Sequence, residues 1–86
     1  MIERSIRVHS LFESGEAAVL VQTASRFNSR ISLMHEDKTA NAKSIMGIIS
    51  LDLKSGQTVR IIADGEDEQS ALPVLEQLLG TSSEPA

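Results

Sequence analysis

Ser44 stands at the start of a short apolar run and is the side chain in this sequence best suited to a chemical switch. The run reads Ile45-Met46-Gly47-Ile48-Ile49-Ser50-Leu51, and Lys43 immediately precedes Ser44. A serine in this position predicts a helix N-cap, because its hydroxyl can accept a hydrogen bond from an unpaired amide of the first turn. A phosphoryl group on the same oxygen would meet those amides and the positive end of the helix dipole. The pattern therefore predicts either a capping serine alone or a capping serine that is also phosphorylated.

The apolar residues after the serine divide between two sides of the predicted helix. Ile48 and Leu51 are three positions apart and suit the core. Ile45, Met46 and Ile49 cover a neighbouring side. A helix this short cannot bury all five side chains, so we expect an exposed apolar surface with the preceding lysine at its edge. Such a surface is typical of a site that binds another protein.

The segment around Ser44 resembles the regulatory serine segment of the HPr/Crh family, whose phosphocarriers serve the sugar phosphotransferase system. The resemblance rests on the heptad Asn41-Ala42-Lys43-Ser44-Ile45-Met46-Gly47 and extends to Ala17-Ala18, to Phe27 and to the run from Ala63 to Glu68. It implies that an HPr kinase/phosphorylase-like serine kinase phosphorylates Ser44. It also implies that the phosphorylated form docks on a catabolite-control transcription factor.

The resemblance also locates the family's histidine phosphocarrier site, and this chain departs from the family there. With Ala17-Ala18 as the anchor, Glu13 stands in the histidine position. Gly15 stands in the arginine position and Glu16 in the proline position. A phosphoryl-imidazole needs nearby positive charge or helix amides, whereas two carboxylates satisfy the helix terminus themselves and repel phosphate. We therefore expect a regulatory protein without histidine carrier activity. The alternatives are a phosphocarrier with an unusual acceptor and an interaction module in which the serine is only a helix cap.

Composition and motif content exclude several other classes of function. The chain has 86 residues, a net charge of -4 and no cysteine, which predicts one domain without disulfides or thiolate metal sites. An acidic balance argues against direct nucleic-acid binding. His9 and His35 lie far apart, His35 in a solvated turn, and neither belongs to a metal-ligand spacing. No glycine-rich phosphate loop or nucleophile elbow is present. The resemblance implies a protein without enzymatic activity or a cofactor.

The hydrophobic pattern shows neither a signal peptide nor an apolar run near the ~20 residues of a membrane span. We therefore expect a cytoplasmic protein.

The periodicity of apolar residues predicts the order strand, helix, strand, strand, helix, strand, helix. This order indicates an α+β fold with an antiparallel sheet and the helices on one face. The resemblance implies the HPr-like open-faced β-sandwich, βαββαβα, with four strands and three helices. We predict a third strand over 39–42, a second helix that ends near Leu53, and a third helix capped by Asp67. Pro73 should either kink that helix or mark the start of its regular part. The predicted domain spans 1–80, and 81–86 form a disordered tail.

Overall fold

The computed structural model describes residues 1–8 and 14–82. The helices and strands follow the predicted order, with one short strand added at the end. They are β1 (Ile2–Val8), α1 (Ser14–Ala24), β2 (Arg30–His35), β3 (Lys38–Asn41), α2 (Ile45–Ser50), β4 (Thr58–Asp64), α3 (Glu68–Leu79) and β5 (Gly80–Ser82). The predicted α+β fold of βαββαβα order is therefore confirmed.

The strands described here form one antiparallel sheet in the order β3-β2-β4-β1-β5. β4 lies at the centre, and its Ile61 pairs with Leu33 of β2 on one side and with Arg4 of β1 on the other. Alternate residues point to opposite faces, so that Ile61 is fully buried while Arg60 is exposed. The helices cover the buried face and leave the other face to solvent, as expected for an open-faced sandwich.

β5 extends the predicted four-stranded sheet by three residues. Gly80 ends α3 in an extended conformation (φ 169°), and the chain returns along the free edge of β1, where Val8 pairs with Gly80 and Ile6 with Ser82. Such pairing satisfies backbone groups that an edge strand otherwise leaves to solvent. A strand of three residues is too short to produce a hydrophobic alternation, so β5 was not predictable from the sequence. The paired backbone thus continues two residues past the boundary predicted at 80. Residues 83–86 of the predicted tail lie outside the described residues.

One apolar core fills the space between the sheet and the helices. Complete burial of a leucine or isoleucine contributes about 1.5–3 kcal/mol, so this cluster is the main source of stability. Its largest fully buried apolar side chains are Ile6, Val8, Leu20, Ile31, Leu33, Ile48, Val59, Ile61, Leu75 and Leu79.

α2 is shorter than predicted, because the chain leaves the helix at Leu51 instead of continuing to Leu53. Asp52 adopts a left-handed conformation (φ 52°), which stops the helix directly after its C-cap. Leu51 and Leu53 are both buried after this change of direction. β3 covers 38–41, one residue earlier than predicted.

α3 begins at Glu68, five residues before Pro73, so the helix does not start at the proline. Asp67 is the N-cap residue of α3, as predicted, but its side chain makes no capping hydrogen bond. That carboxylate instead accepts hydrogen bonds from the loop between α1 and β2.

His35 is the last residue of β2 and is half-buried, whereas the sequence predicted a solvated turn position. Its side chain is 14% exposed, and Nδ1 lies 3.4 Å from the carbonyl oxygen of Thr58. Glu36, which follows it, absorbs the tight reversal into β3 with a φ of 57°. The turn between β2 and β3 therefore begins at Glu36, one residue later than predicted.

Candidate functional site: the Ser44 segment

Ser44 is the N-cap of α2, as predicted. Its backbone is extended (φ -111°, ψ 113°), and its Oγ accepts a hydrogen bond from the N–H of Gly47 at 3.2 Å. The Ser44 carbonyl accepts the first intrahelical bond, from Ile48 N at 3.0 Å. The Ser44 N–H in turn donates to the carbonyl of Asn41, which fixes the segment to the end of β3. Every backbone group of Ser44 is thus held, and the side chain remains half-buried at the surface.

Three apolar side chains of α2 are exposed beside the capping serine, and we call them the α2 patch: Ile45, Met46 and Ile49. Their residues are 37%, 71% and 50% exposed, respectively. Ile48, on the opposite side, is only 1% exposed and is the one residue of α2 within the core. The division of the helix into a core side and an outer apolar side agrees with the prediction. α2 therefore presents an apolar surface that residues 1–8 and 14–82 leave exposed.

Lys43 lies next to the α2 patch, but its ammonium group is directed toward the end of α1. Nζ donates to the carbonyl oxygen of Phe27 at 2.7 Å, and the side chain is half-buried. The Lys43 N–H donates to Oδ1 of Asn41 at 2.9 Å. The positive charge of Lys43 is favourable near the C-terminal end of α1, where carbonyl groups carry partial negative charge. This contact was not predictable from the sequence, because Phe27 and Lys43 are 16 residues apart.

The predicted degenerate phosphocarrier site is only partly within the described residues. Gly15 and Glu16 belong to the first turn of α1, where the carboxylate of Glu16 suits the helix dipole. Glu13 lies outside the described residues, as does His9. α1 packs against α2, so the two helices lie side by side.

Asp67 organises a second polar cluster that the sequence analysis missed. Its carboxylate accepts from Asn28 N at 2.8 Å, from Ser29 N at 2.9 Å and from Ser29 Oγ. These hydrogen bonds hold the pKa of Asp67 below its ordinary value, and the bond from the Ser29 hydroxyl has the largest effect. Among the residues whose burial the structure describes, Ser29 is the one buried polar residue. A Cβ on Gly65 would lie 2.6 Å from Ser29 Cα, so only glycine fits there.

Within residues 1–8 and 14–82, His, Asp and Glu side chains form no group of three or more that could hold a metal ion. In the same part of the chain, no helix has the length and hydrophobicity needed to cross a bilayer.

Comparison with known proteins identifies the family. The family described as "PTS HPr component phosphorylation site" matches residues 12–81. The chain belongs to the HPr family. Among its HPr relatives, the HPr-like protein Crh of Halalkalibacterium halodurans is 42% identical over 77 residues, covering 87% of this chain and 92% of the relative.

Solved structures give the same family from the fold. The phosphocarrier protein HPr from Bacillus anthracis superposes with a TM-score of 0.87 at 35% identity, covering 91% of this chain and 95% of that chain. The solution structure of Crh, described as the Bacillus subtilis catabolite repression HPr, has a TM-score of 0.66 at 39% identity and covers 98% of this chain and 100% of that one. The chain thus resembles both phosphocarrier and HPr-like members of the family.

Proposed function

We propose that this HPr family member is a regulatory protein of carbon metabolism that is phosphorylated on Ser44 and acts by binding another protein. The supporting observation is the position of Ser44, which caps α2 directly beside the exposed α2 patch. The similarity to a protein described as a catabolite repression HPr supports the same assignment. The kinase would be of the HPr kinase/phosphorylase type, and an ATP-dependent kinase implies the cytoplasm. No catalytic step is assigned to the chain itself.

Phosphorylation would change the charge of this surface without changing its shape. A phosphoserine adds about -1.5 to -2 charge at neutral pH. The phosphate would lie at the N-terminus of α2, where unpaired N–H groups and the helix dipole favour negative charge. Phosphorylation of Ser44 is therefore compatible with an intact α2. Ile45, Met46 and Ile49 would supply apolar contacts, and Lys43 would contribute its remaining N–H donors at the edge. The partner, for which we propose a catabolite-control transcription factor, would need a basic group next to an apolar groove.

Histidine carrier activity is not part of the proposed function. Glu13, Gly15 and Glu16 replace the residues that the family uses to accept and stabilise a phosphoryl group. Similarity to the phosphocarrier HPr of Bacillus anthracis nevertheless makes a carrier with an unusual acceptor the alternative to test. Incubation with phosphoenolpyruvate and the general phosphotransferase enzyme should leave the intact mass of the chain unchanged. An acid-labile adduct at His9 or Glu13 would favour the carrier function.

The direct test of the proposed function is incubation with an HPr kinase/phosphorylase and ATP, followed by intact-mass measurement. We expect one phosphoryl group on the wild-type chain and none on Ser44→Ala. Ser50→Ala is the matched control, because Ser50 is an exposed serine of the same helix whose hydroxyl donates to the Met46 carbonyl at 2.8 Å. Ser44→Ala should cost about 1 kcal/mol through the lost cap, so that the variant still folds. Incorporation into Ser44→Ala, or none into wild type, would contradict the proposal.

A further inference from the structure

A polar cleft opens at the end of the sheet where β2 begins and where β3 and β4 end. It is lined by Asn28, Arg30, Asn41, Lys43 and Asp64. Arg30 and Asp64 are directly paired across β2 and β4, which places the two side chains at the same edge. The cleft has a volume of about 530 Å³. This volume falls within the range of sites that hold small molecules.

The charges of the cleft favour an anion, although the whole chain carries a net charge of -4. Within residues 1–8 and 14–82 the guanidinium of Arg30 makes no hydrogen bond and no ion pair, even with the neighbouring Asp64. The ammonium of Lys43 is positioned by a single bond to the Phe27 carbonyl, which leaves two of its three N–H donors available. Among the described residues that line the cleft, only Asp64 carries a carboxylate, and this carboxylate forms an ion pair with the amine of Met1 at 3.6 Å.

We propose that this cleft binds a small oxyanion, with a phosphate or carboxylate group held between Arg30 and Lys43. A guanidinium offers parallel N–H donors that match two oxygens of such a group, and an ammonium adds a point charge. Asn41 uses its Oδ1 for the Lys43 backbone N–H, so its NH₂ group remains as a donor. Asn28 supplies a second amide for the polar remainder of the ligand. This binding site is proposed for the chain without a phosphoryl group on Ser44.

Inorganic phosphate is the probe for the experiment, added to the full ¹⁵N-labelled chain at neutral pH and at constant ionic strength. We expect saturable amide shifts concentrated in residues 28–30, 41–43 and 63–64. Arg30→Gln should weaken binding by about three- to fivefold, the effect of losing one exposed charged contact. Arg30 is exposed, and this substitution breaks no side-chain hydrogen bond or ion pair in the described part of the chain, so it should not disturb the fold. Arg60→Gln is the matched control, since it removes the same charge from an exposed position of β4 outside the cleft.

A second variant should act in the opposite direction. Asp64→Asn removes the one carboxylate among the described lining residues and should tighten phosphate binding by about twofold. The Met1 amine keeps its ion pair with Glu68 at 3.1 Å, so the start of β1 stays attached in this variant. Equal weakening by Arg30→Gln and Arg60→Gln would show a response to total charge alone and would overturn the proposal. Shifts that increase linearly without saturation, or an Asp64→Asn variant that binds no more tightly, would overturn it as well.

Discussion

The carboxylate of Asp67 connects two loops that are far apart in the sequence. It accepts two backbone N–H groups and one hydroxyl from Asn28 and Ser29, and so holds the start of β2 against the start of α3. Gly65 makes this approach possible, because any side chain there would collide with Ser29. The cost of burying the Ser29 hydroxyl is offset by a charged acceptor, which makes the hydrogen bond stronger than a neutral one.

Asp67 should make the stability of the protein depend on pH in the acid range. Its pKa in the folded protein is lowered by the hydrogen bonds from Ser29 and Asn28. The stabilisation is therefore complete above the ordinary aspartate pKa of about 3.9 and is lost as the pH falls through the lower value of the folded state. Asp67→Asn should lower the thermal midpoint at neutral pH, and its difference from wild type should shrink below about pH 4.

Asp37→Asn is the control for this measurement, because Asp37 is an exposed residue of the β2–β3 turn. Its midpoint should follow that of wild type at every pH. A constant difference between Asp67→Asn and wild type across the acid range would contradict the role assigned to the carboxylate.

Met46 and Ile48 should separate binding from stability within one short helix. Met46 is 71% exposed, so Met46→Ala should change the free energy of unfolding by less than about 0.5 kcal/mol. Ile48 is 1% exposed, and Ile48→Ala should cost about 2–4 kcal/mol. Urea unfolding measures the stability of both variants. The affinity of phosphorylated Met46→Ala for the partner is measured beside it. Weakened binding with unchanged stability is expected for Met46→Ala. A large loss of stability with unaltered binding would show that Met46 belongs to the core.

At the scale of helices and strands, the sequence predicted those elements whose apolar residues follow a clear period. Ala17, Leu20 and Ala24 mark the buried side of α1, and Val59 and Ile61 mark that of β4. The misses have local physical causes. β5 is three residues long and depends on the free edge of β1, whereas the end of α2 depends on one left-handed residue.

The candidate site likewise combines features that were predictable from the sequence with features that were not. A cap is a local pattern, so Ser44 and the exposed α2 patch were predictable from spacing alone. The contact of Lys43 with Phe27 and those of Asp67 with Asn28 and Ser29 join segments that are distant along the chain. Sequence patterns with helical or strand periods carry no information about such pairs.

Pro73 should weaken α3, and its replacement should stabilise the protein. In this helix the missing N–H would have bonded to the carbonyl of Gln69, a residue exposed to solvent. Pro73→Ala should raise the free energy of unfolding by about 2 kcal/mol. This is the recovered helix propensity of about 3 kcal/mol, less about 0.4–1 kcal/mol for the greater freedom of the unfolded chain. Urea denaturation measures the change, with Gln77→Ala as an exposed control on the same helix. No gain, or a loss, would mean that the start of α3 requires the proline.

At the scale of the whole molecule, one core supports every element, but the elements differ in how firmly they are held. β4 has a paired strand on each side, whereas β3 lies at the edge and α2 contributes only Ile48 to the core. Native-state hydrogen exchange should therefore be slowest for the amides of β4 and at least about tenfold faster for those of β3 and α2. Equal protection of β3 and β4 would show that the two strands open together in one cooperative unit and would contradict this prediction.

The extended backbone of Ser44 has a kinetic consequence for the folded molecule. The Ser44 hydroxyl acts as an acceptor toward Gly47, which leaves its own proton free for removal by a base. A kinase that binds extended chain would find this serine already in a suitable conformation. Modification would then need no prior opening of the domain, and its rate would not follow the population of unfolded molecules. A destabilised protein would be phosphorylated no faster than a stable one, so the signal would report the activity of the kinase and not the condition of its substrate.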